Sequence, residues 1–165
     1  MVLVNYFKLA LQNYTKFSGR ANRPEFWYFY LANVIISIVL RILGMIPAIG
    51  VIFGIIAVIY GLAVIVPSLA VGVRRFHDSN LSGTIYIILF VIMVVGAILM
   101  AVSGALLAAS LASGSTGGSA GSGVLSVIGI LIMLVAAIIA IVFLARKGTD
   151  GANKYGEPSN PTFTN

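Results

Sequence analysis

The residues best suited to chemistry are His77 and Asp78, which are adjacent in the chain and include its only histidine. A histidine next to a carboxylate can act as a general base, a pH sensor or a metal ligand. Ser79 and Ser82 are nearby hydroxyls, but no nucleophile-elbow pattern surrounds either of them. The sequence therefore favours a structural or interfacial histidine, and we expect no catalytic residue and no enzyme activity.

A metal site is not expected either. A bound metal needs three or four ligands, and the chain has no cysteine to supply them. The acidic residues that could join His77 are Glu25, Asp78, Asp150 and Glu157. We therefore predict no metal and no cofactor.

Arg74 and Arg75 directly follow an apolar run, which predicts that they lie at the level of the lipid headgroups. A guanidinium group can bind phosphate or carboxylate through two parallel hydrogen bonds, and an anionic inner leaflet attracts each arginine by about 1 kcal/mol. Two interpretations stay open: the pair binds a ligand, or it only sets the topology of the chain.

The few acidic residues lie close to arginines, which favours ion pairs. Asp78 is three residues after Arg75 and four after Arg74, so one helical turn can pair them. Glu25 can pair with Arg20, with Arg23 or with one of the two arginines before Asp78. We predict a network that joins the first membrane span to the segment after the second, formed by Arg20, Arg23, Glu25, Arg74, Arg75 and Asp78, with His77 beside it.

The elements that position these residues are membrane spans. Of the 165 residues, 60% are hydrophobic and only 8% are charged, which excludes an ordinary soluble domain with about 25% charged residues. No charged residue occurs over 42–73 or over 79–145. Since about 20 helical residues cross a bilayer, these gaps predict an all-α, polytopic membrane protein.

We predict four spans within a single membrane domain, over 26–46, 49–72, 84–112 and 124–145. The first two are joined by a turn at Pro47, and the last two by a flexible Gly/Ser-rich loop over 113–123. The alternative, one long helix with a re-entrant segment, stays open. Residues 146–165 form a tail, and residues 1–25 contain a short amphipathic helix at the membrane interface.

Nine of the ten Lys and Arg residues fall on one predicted side of these spans. Because short cytoplasmic segments are rich in Lys and Arg, both termini are predicted to be cytoplasmic in an inner membrane. The net charge of +6 is then an orientation signal, and no basic soluble domain exists to bind nucleic acid. Aromatic residues at the start of span 1 should lie at the same interface: Trp27, Tyr28 and Tyr30.

Arg41 is the exception, because it lies inside the predicted first span. It is about five residues from the outer end, within reach of the outer interface for a long side chain. The alternative is a contact with an ion or substrate inside the membrane. No acidic residue within a span is available to pair with it.

Three charged segments together resemble a bacterial inner-membrane family of unknown function, DUF805. They read F-x-G-R-x-x-R-x-E-x-W from Phe17, P-x-L-A-V-x-V-R-R-x-H-D-x-x-x-S-G from Pro67, and N-x-Y-G-x-P from Asn153. The resemblance covers nearly the whole chain, and the segment from Pro67 is its most specific part. It implies a multi-span membrane protein and carries no established activity.

Three functions follow as hypotheses. The first is a non-enzymatic membrane protein that binds a partner protein or anionic lipid through its cytoplasmic face, where the motif-bearing segments lie. The second is a small transporter or channel that works as a homo-oligomer, although the spans have few polar residues to line a pore. The third is a membrane-embedded enzyme that acts on lipid headgroups through His77 and Asp78 together with Arg74 and Arg75.

Overall fold

The computed structural model describes residues 2–114 and 117–161, and within these ranges the chain forms five α-helices. They are α1 (Val2–Gln12), α2 (Arg23–Gly44), α3 (Gly50–Asp78), α4 (Gly83–Ser113) and α5 (Gly117–Ala145). Helices make up 77% of the described residues, and the described ranges contain no β-strand. The predicted all-α fold is confirmed.

Four of these helices, α2 to α5, are long and apolar enough to cross a membrane, counted over the residues described. The 29 residues of α3 extend about 44 Å at 1.5 Å per residue, which exceeds a hydrocarbon core of about 30 Å. The helix therefore continues six residues past the predicted end of the second span at residue 72 and includes Arg74, Arg75, His77 and Asp78. The side chains of these four residues all have partners within the chain.

The predicted Gly/Ser-rich loop over 113–123 is wrong for most of its length, because α5 already begins at Gly117. Residues 115 and 116 lie outside the described ranges. The Ser103 hydroxyl on α4 donates to the Ser122 carbonyl at 2.7 Å and contacts the Ser126 hydroxyl. Gly and Ser favour loops in water, but in apolar surroundings a backbone must satisfy its own polar groups, and a helix does so.

The chain divides into two compact units. The first consists of residues 1–83 and 144–165, and the second of residues 84–143. In the second unit α4 and α5 approach closely at two glycines: a Cβ built on Gly129 would lie 3.0 Å from the Gly96 carbonyl oxygen. Small residues at such a crossing are typical of helices packed in a membrane.

In the first unit, α1 packs on the beginning of α2 through stacked aromatic rings. The ring centroids of Tyr6 and Tyr28 are 5.3 Å apart, and those of Phe7 and Phe29 are 5.7 Å apart. Ala10 on the same face of α1 is fully buried. The N-terminal helix therefore lies against the end of α2 that carries the candidate site.

Candidate functional site

The candidate site begins at the first turn of α2. Asn22 is the N-cap residue, and its side-chain oxygen accepts a hydrogen bond from the Glu25 amide at 2.9 Å. Pro24 fits the first turn, where the missing N–H costs nothing. This cap fixes Glu25, whose side chain is 1% exposed.

Glu25 pairs with Arg74 of α3. The distance from Arg74 Nη1 to Glu25 Oε1 is 2.5 Å, and both side chains are buried. The Ala21 amide also donates to the Arg74 carbonyl at 3.0 Å, so main chain and side chain join the same two segments. Burial and the negative charge of Glu25 raise the pKa of Tyr6 on α1.

Asp78, the last residue of α3, pairs with two arginines at once. Its Oδ1 lies 2.9 Å from Arg20 Nη2, and its Oδ2 lies 2.6 Å from Arg75 Nη1. All three side chains are buried. One carboxylate therefore bridges the loop before α2 and the end of α3.

The remaining donors of Arg20 bind the tail. Nη1 donates to the Gly151 carbonyl at 2.6 Å and to the Gly156 carbonyl at 3.3 Å, and Nη2 donates to the Thr149 carbonyl at 2.7 Å. Arg20 therefore donates hydrogen bonds to three main-chain oxygens of the tail and holds the tail in a folded turn.

Arg75 and Arg23 bind the C-terminal end of α5. Arg75 Nε donates to the Leu144 carbonyl at 3.0 Å, and its Nη2 donates to the Arg146 carbonyl. Arg23 Nε donates to that same Arg146 carbonyl at 3.0 Å. The last carbonyls of a helix have no partner within it and carry partial negative charge, so two arginines are suitable caps.

His77 contacts the loop before α2 and the C-terminal tail. Its Nδ1 lies 3.1 Å from the Gly19 carbonyl oxygen, which can only accept, so Nδ1 carries the proton. Its ring stacks on Tyr155 of the tail, with centroids 3.7 Å apart and planes 6° from parallel. The side-chain amide of Asn153 donates to the His77 carbonyl at 2.9 Å. These contacts fit a structural histidine that orders the tail.

The tail is thus packed along the ends of α2 and α3. The Thr149 amide donates to the Asp78 carbonyl at 2.9 Å, and the Asn22 side chain donates to the Ser159 carbonyl at 3.0 Å. Gly148 requires the absence of a side chain, because a Cβ there would overlap the Asp78 carboxylate. Sequence analysis missed this role of the tail, although the motif beginning at Asn153 marked part of it.

The structure brings the predicted network together with two differences. Arg23 contacts a main-chain carbonyl, not an acidic side chain. Arg75, expected at headgroup level, is fully buried, and each of its nitrogens has a partner within the chain. Arg75 is therefore unable to present its fork to a lipid in this arrangement.

The other predicted residues lie on the surface of α2. Trp27, Tyr28 and Tyr30 follow Glu25 and are 37%, 37% and 56% exposed, as residues facing lipid would be. Arg41 is exposed in the last turn of α2, where the partial negative charge of a helix C-terminus favours a cation. No ion pair among the described residues includes it. Within the described ranges, no three His, Asp or Glu side chains lie close enough together to hold a metal ion.

Positive charges outnumber negative charges at the candidate site, among the buried residues and among the exposed ones. The buried cluster has three arginines for two carboxylates. Two acids, Asp150 and Glu157, are exposed beside a larger set of exposed cations: Lys8, Lys16, Arg23, Arg146, Lys147 and Lys154. Positive charge therefore exceeds negative charge both inside the cluster and around it.

Comparison with known proteins gives a family match over most of the chain. A family model described as "Protein of unknown function (DUF805)" matches residues 14–157. Every residue of the buried cluster falls within these bounds. The match therefore includes all of the buried charged residues of the candidate site.

Two curated relatives come from Escherichia coli strain K12. "Inner membrane protein YhaH" is 38% identical over 103 residues, which are 60% of this chain and 83% of the relative. "Inner membrane protein YhaI" is 33% identical over 88 residues, which are 53% of this chain and 73% of the relative. No solved structure matches the chain.

Proposed function

The chain belongs to the DUF805 family and is a multi-pass inner-membrane protein, and we propose that it works without catalysis, as a binding protein whose partner docks on the ordered C-terminal tail. The observation that carries this proposal is the use of the scarce charges. Arg20, Asp78 and His77 all hold tail residues in place. A chain of apolar helices needs no such arrangement to span a membrane.

The chemistry of the cluster supports binding over catalysis. A general base needs a free nitrogen or oxygen that faces a substrate. The carboxylate of Asp78 is shared by two guanidinium groups, and the ring of His77 is covered by Tyr155. The ordered tail, in contrast, has an exposed outer surface that includes Lys154 and Glu157.

We place this tail and the N-terminus in the cytoplasm. The support is the distribution of Lys and Arg: nine of the ten lie near the start of α2, the end of α3 or the end of α5. A reporter enzyme that is active only in the periplasm should be active when inserted at Gly114, in the turn after α4, and inactive when fused after the tail. The reverse pattern would contradict this orientation.

The partner is tested by affinity purification from native membranes. The wild-type chain should retain a protein in stoichiometric amount, and Arg20→Lys should lose it, because lysine keeps the charge but has too few donors to hold the tail carbonyls. Arg41→Lys is the matched control, since it changes an arginine far from the tail. Retention of the same protein by Arg20→Lys would refute docking on the ordered tail.

A second candidate function is favoured by the exposed cations around the cluster, which would attract anionic lipids of the inner leaflet. In mixed bilayers the chain should then enrich phosphatidylglycerol over phosphatidylcholine in its surroundings. The enrichment should weaken in high salt, because exposed charges are screened. The double change Lys8→Gln and Lys16→Gln should reduce it, and unchanged enrichment in that variant would count against this function.

A further inference from the structure

Arg74 of the buried cluster has hydrogen-bond donors without a partner. Arg74 contacts Glu25 through Nη1, but its Nε and Nη2 are buried and have no hydrogen-bond partner among the described residues. The guanidinium group of Arg20, by comparison, makes bonds from all three nitrogens. Buried donors without a partner are rare, and they call for a physical explanation.

The two free nitrogens form one edge of the guanidinium plane. Nε and Nη2 carry parallel N–H bonds along the side of the group, and this fork matches two oxygens of a phosphate or carboxylate. A phosphate or carboxylate places one oxygen on each of these two N–H groups and satisfies both of them. The free edge of Arg74 therefore has the geometry of an oxyanion-binding site.

Charge points to the same ligand independently. Arg20, Arg74 and Arg75 face only Glu25 and Asp78 within the buried cluster, which leaves one positive charge in excess. Burying an unbalanced charge is costly, and one added negative charge would balance it.

The position of Arg74 favours a ligand from the membrane surface. Its partner Glu25 is in the first turn of α2, directly before the exposed aromatic residues Trp27 and Tyr28. Such residues concentrate where phospholipid headgroups lie. The pair is covered by the tail, where the Ser159 hydroxyl donates to Glu25 Oε2 at 3.3 Å, and access requires this cover to shift.

We propose that the free edge of Arg74 binds a phosphate group, either that of a phospholipid headgroup or soluble phosphate. The site differs from the outer surface of the tail and from the exposed cations. It holds one ligand per chain, and it is shielded from solvent, so salt weakens it little.

The test is native mass spectrometry of the full chain in mild detergent, titrated separately with phosphatidylglycerol and with inorganic phosphate. Arg74→Lys keeps the charge and the pairing with Glu25 but removes the fork, and Arg41→Lys is the matched control. We expect one saturable ligand per wild-type chain and at least about tenfold weaker binding in Arg74→Lys, given the strength of paired, charge-assisted bonds. The control should bind as the wild type does.

The two titrations identify the source of the phosphate. Binding of phosphatidylglycerol alone assigns the site to a lipid, and binding of inorganic phosphate assigns it to a soluble ligand. Equal affinity in wild type and Arg74→Lys, or no saturable ligand in either titration, would overturn the proposal. Neither result would bear on the proposed docking of a partner on the tail, because Arg20→Lys tests that proposal separately.

A second variant keeps the test decisive if Arg74→Lys does not fold. Glu25→Gln retains an oxygen for Arg74 Nη1 and removes the neighbouring negative charge that opposes an anion. We expect binding to become several-fold tighter, and the thermal shift caused by the ligand to increase. Weaker or unchanged binding in this variant would contradict a phosphate site at Arg74.

Discussion

Buried charges join the segments of the unit formed by residues 1–83 and 144–165, whereas small and apolar residues join the helices of the unit formed by residues 84–143. In the first unit each contact has a specific partner, such as Asp78 with Arg20 and Arg75. In the second, α4 and α5 meet where Gly96 and Gly129 allow close approach. The difference teaches that the buried charges of this chain specify the contacts of the first unit, whereas close packing at glycines and the hydroxyl of Ser103 join the helices of the second.

The largest effect is expected from Asp78→Ala, which leaves two buried arginines without their carboxylate. Loss of one partner of a buried pair costs about 3–5 kcal/mol in free energy of unfolding. Thermal or denaturant unfolding in detergent measures this loss. Asp150→Ala is the control, since its pair with Lys147 is exposed and should contribute nothing measurable. Equal stability of Asp78→Ala and Asp150→Ala would contradict the claim that buried charges stabilise the first unit.

A smaller effect, about 1–3 kcal/mol, is expected from Gly148→Ala, because the added methyl group would overlap the Asp78 carboxylate. Gly104→Ala in α4 is its counterpart in the other unit, where a Cβ would meet no atom within 4 Å. That change should be neutral or slightly stabilising, as Ala is the better helix residue. If both variants unfold at the same denaturant concentration, the close contact of the tail with Asp78 is refuted.

Gly129→Ala should cost about 1 kcal/mol, because its methyl group would press on the Gly96 carbonyl. The change should loosen the second unit and leave the tail untouched. Amide hydrogen exchange followed by mass spectrometry separates the two: faster exchange is expected in α4 and α5, and unchanged exchange over 149–156. Faster exchange in the tail as well would show that the two units do not respond separately.

A comparable effect is expected from Tyr155→Ala, which removes the ring stacked on His77, since such stacking contributes about 0.5–1.5 kcal/mol beyond the area it buries. Tyr155→Phe keeps the ring and should retain the wild-type stability. Both are measured by unfolding in detergent, with exchange over 149–156 as a local readout. A loss in Tyr155→Phe as large as in Tyr155→Ala would assign the contribution to the hydroxyl and not to the stacking.

Sequence alone predicts the four long helices and the five residues of the buried cluster, because both follow from where charges occur, but it also assigns Arg23 to the ion pairs, and Arg23 contacts a main-chain carbonyl. The gaps over 42–73 and 79–145 leave no alternative to apolar helices, and Asp78 is one helical turn from Arg75. The choice of Arg74 for Glu25 does not follow from spacing, since several arginines were available. It depends on how α2 packs against α3.

The tail and the start of α5 were beyond prediction for different physical reasons. Arg20 binds the carbonyls of Thr149, Gly151 and Gly156, and main-chain oxygens leave no signature in residue type. The segment from Gly117 has a composition that favours a loop in water, but it is the first part of a long apolar helix, and a helix satisfies its own backbone polar groups. Composition reports intrinsic preference, and here the environment decides.

The central claim is that the charged cluster exists to hold the tail, and amide hydrogen exchange over 149–156 tests it most directly. In the wild type, the amides of Thr149, Asn153 and Gly156 donate to carbonyls of the chain and should be protected. In Arg20→Lys that protection should fall to the level of an unfolded peptide, while α2 and α3 stay protected. A tail that stays protected in Arg20→Lys, or that exchanges freely in the wild type, would contradict the claim.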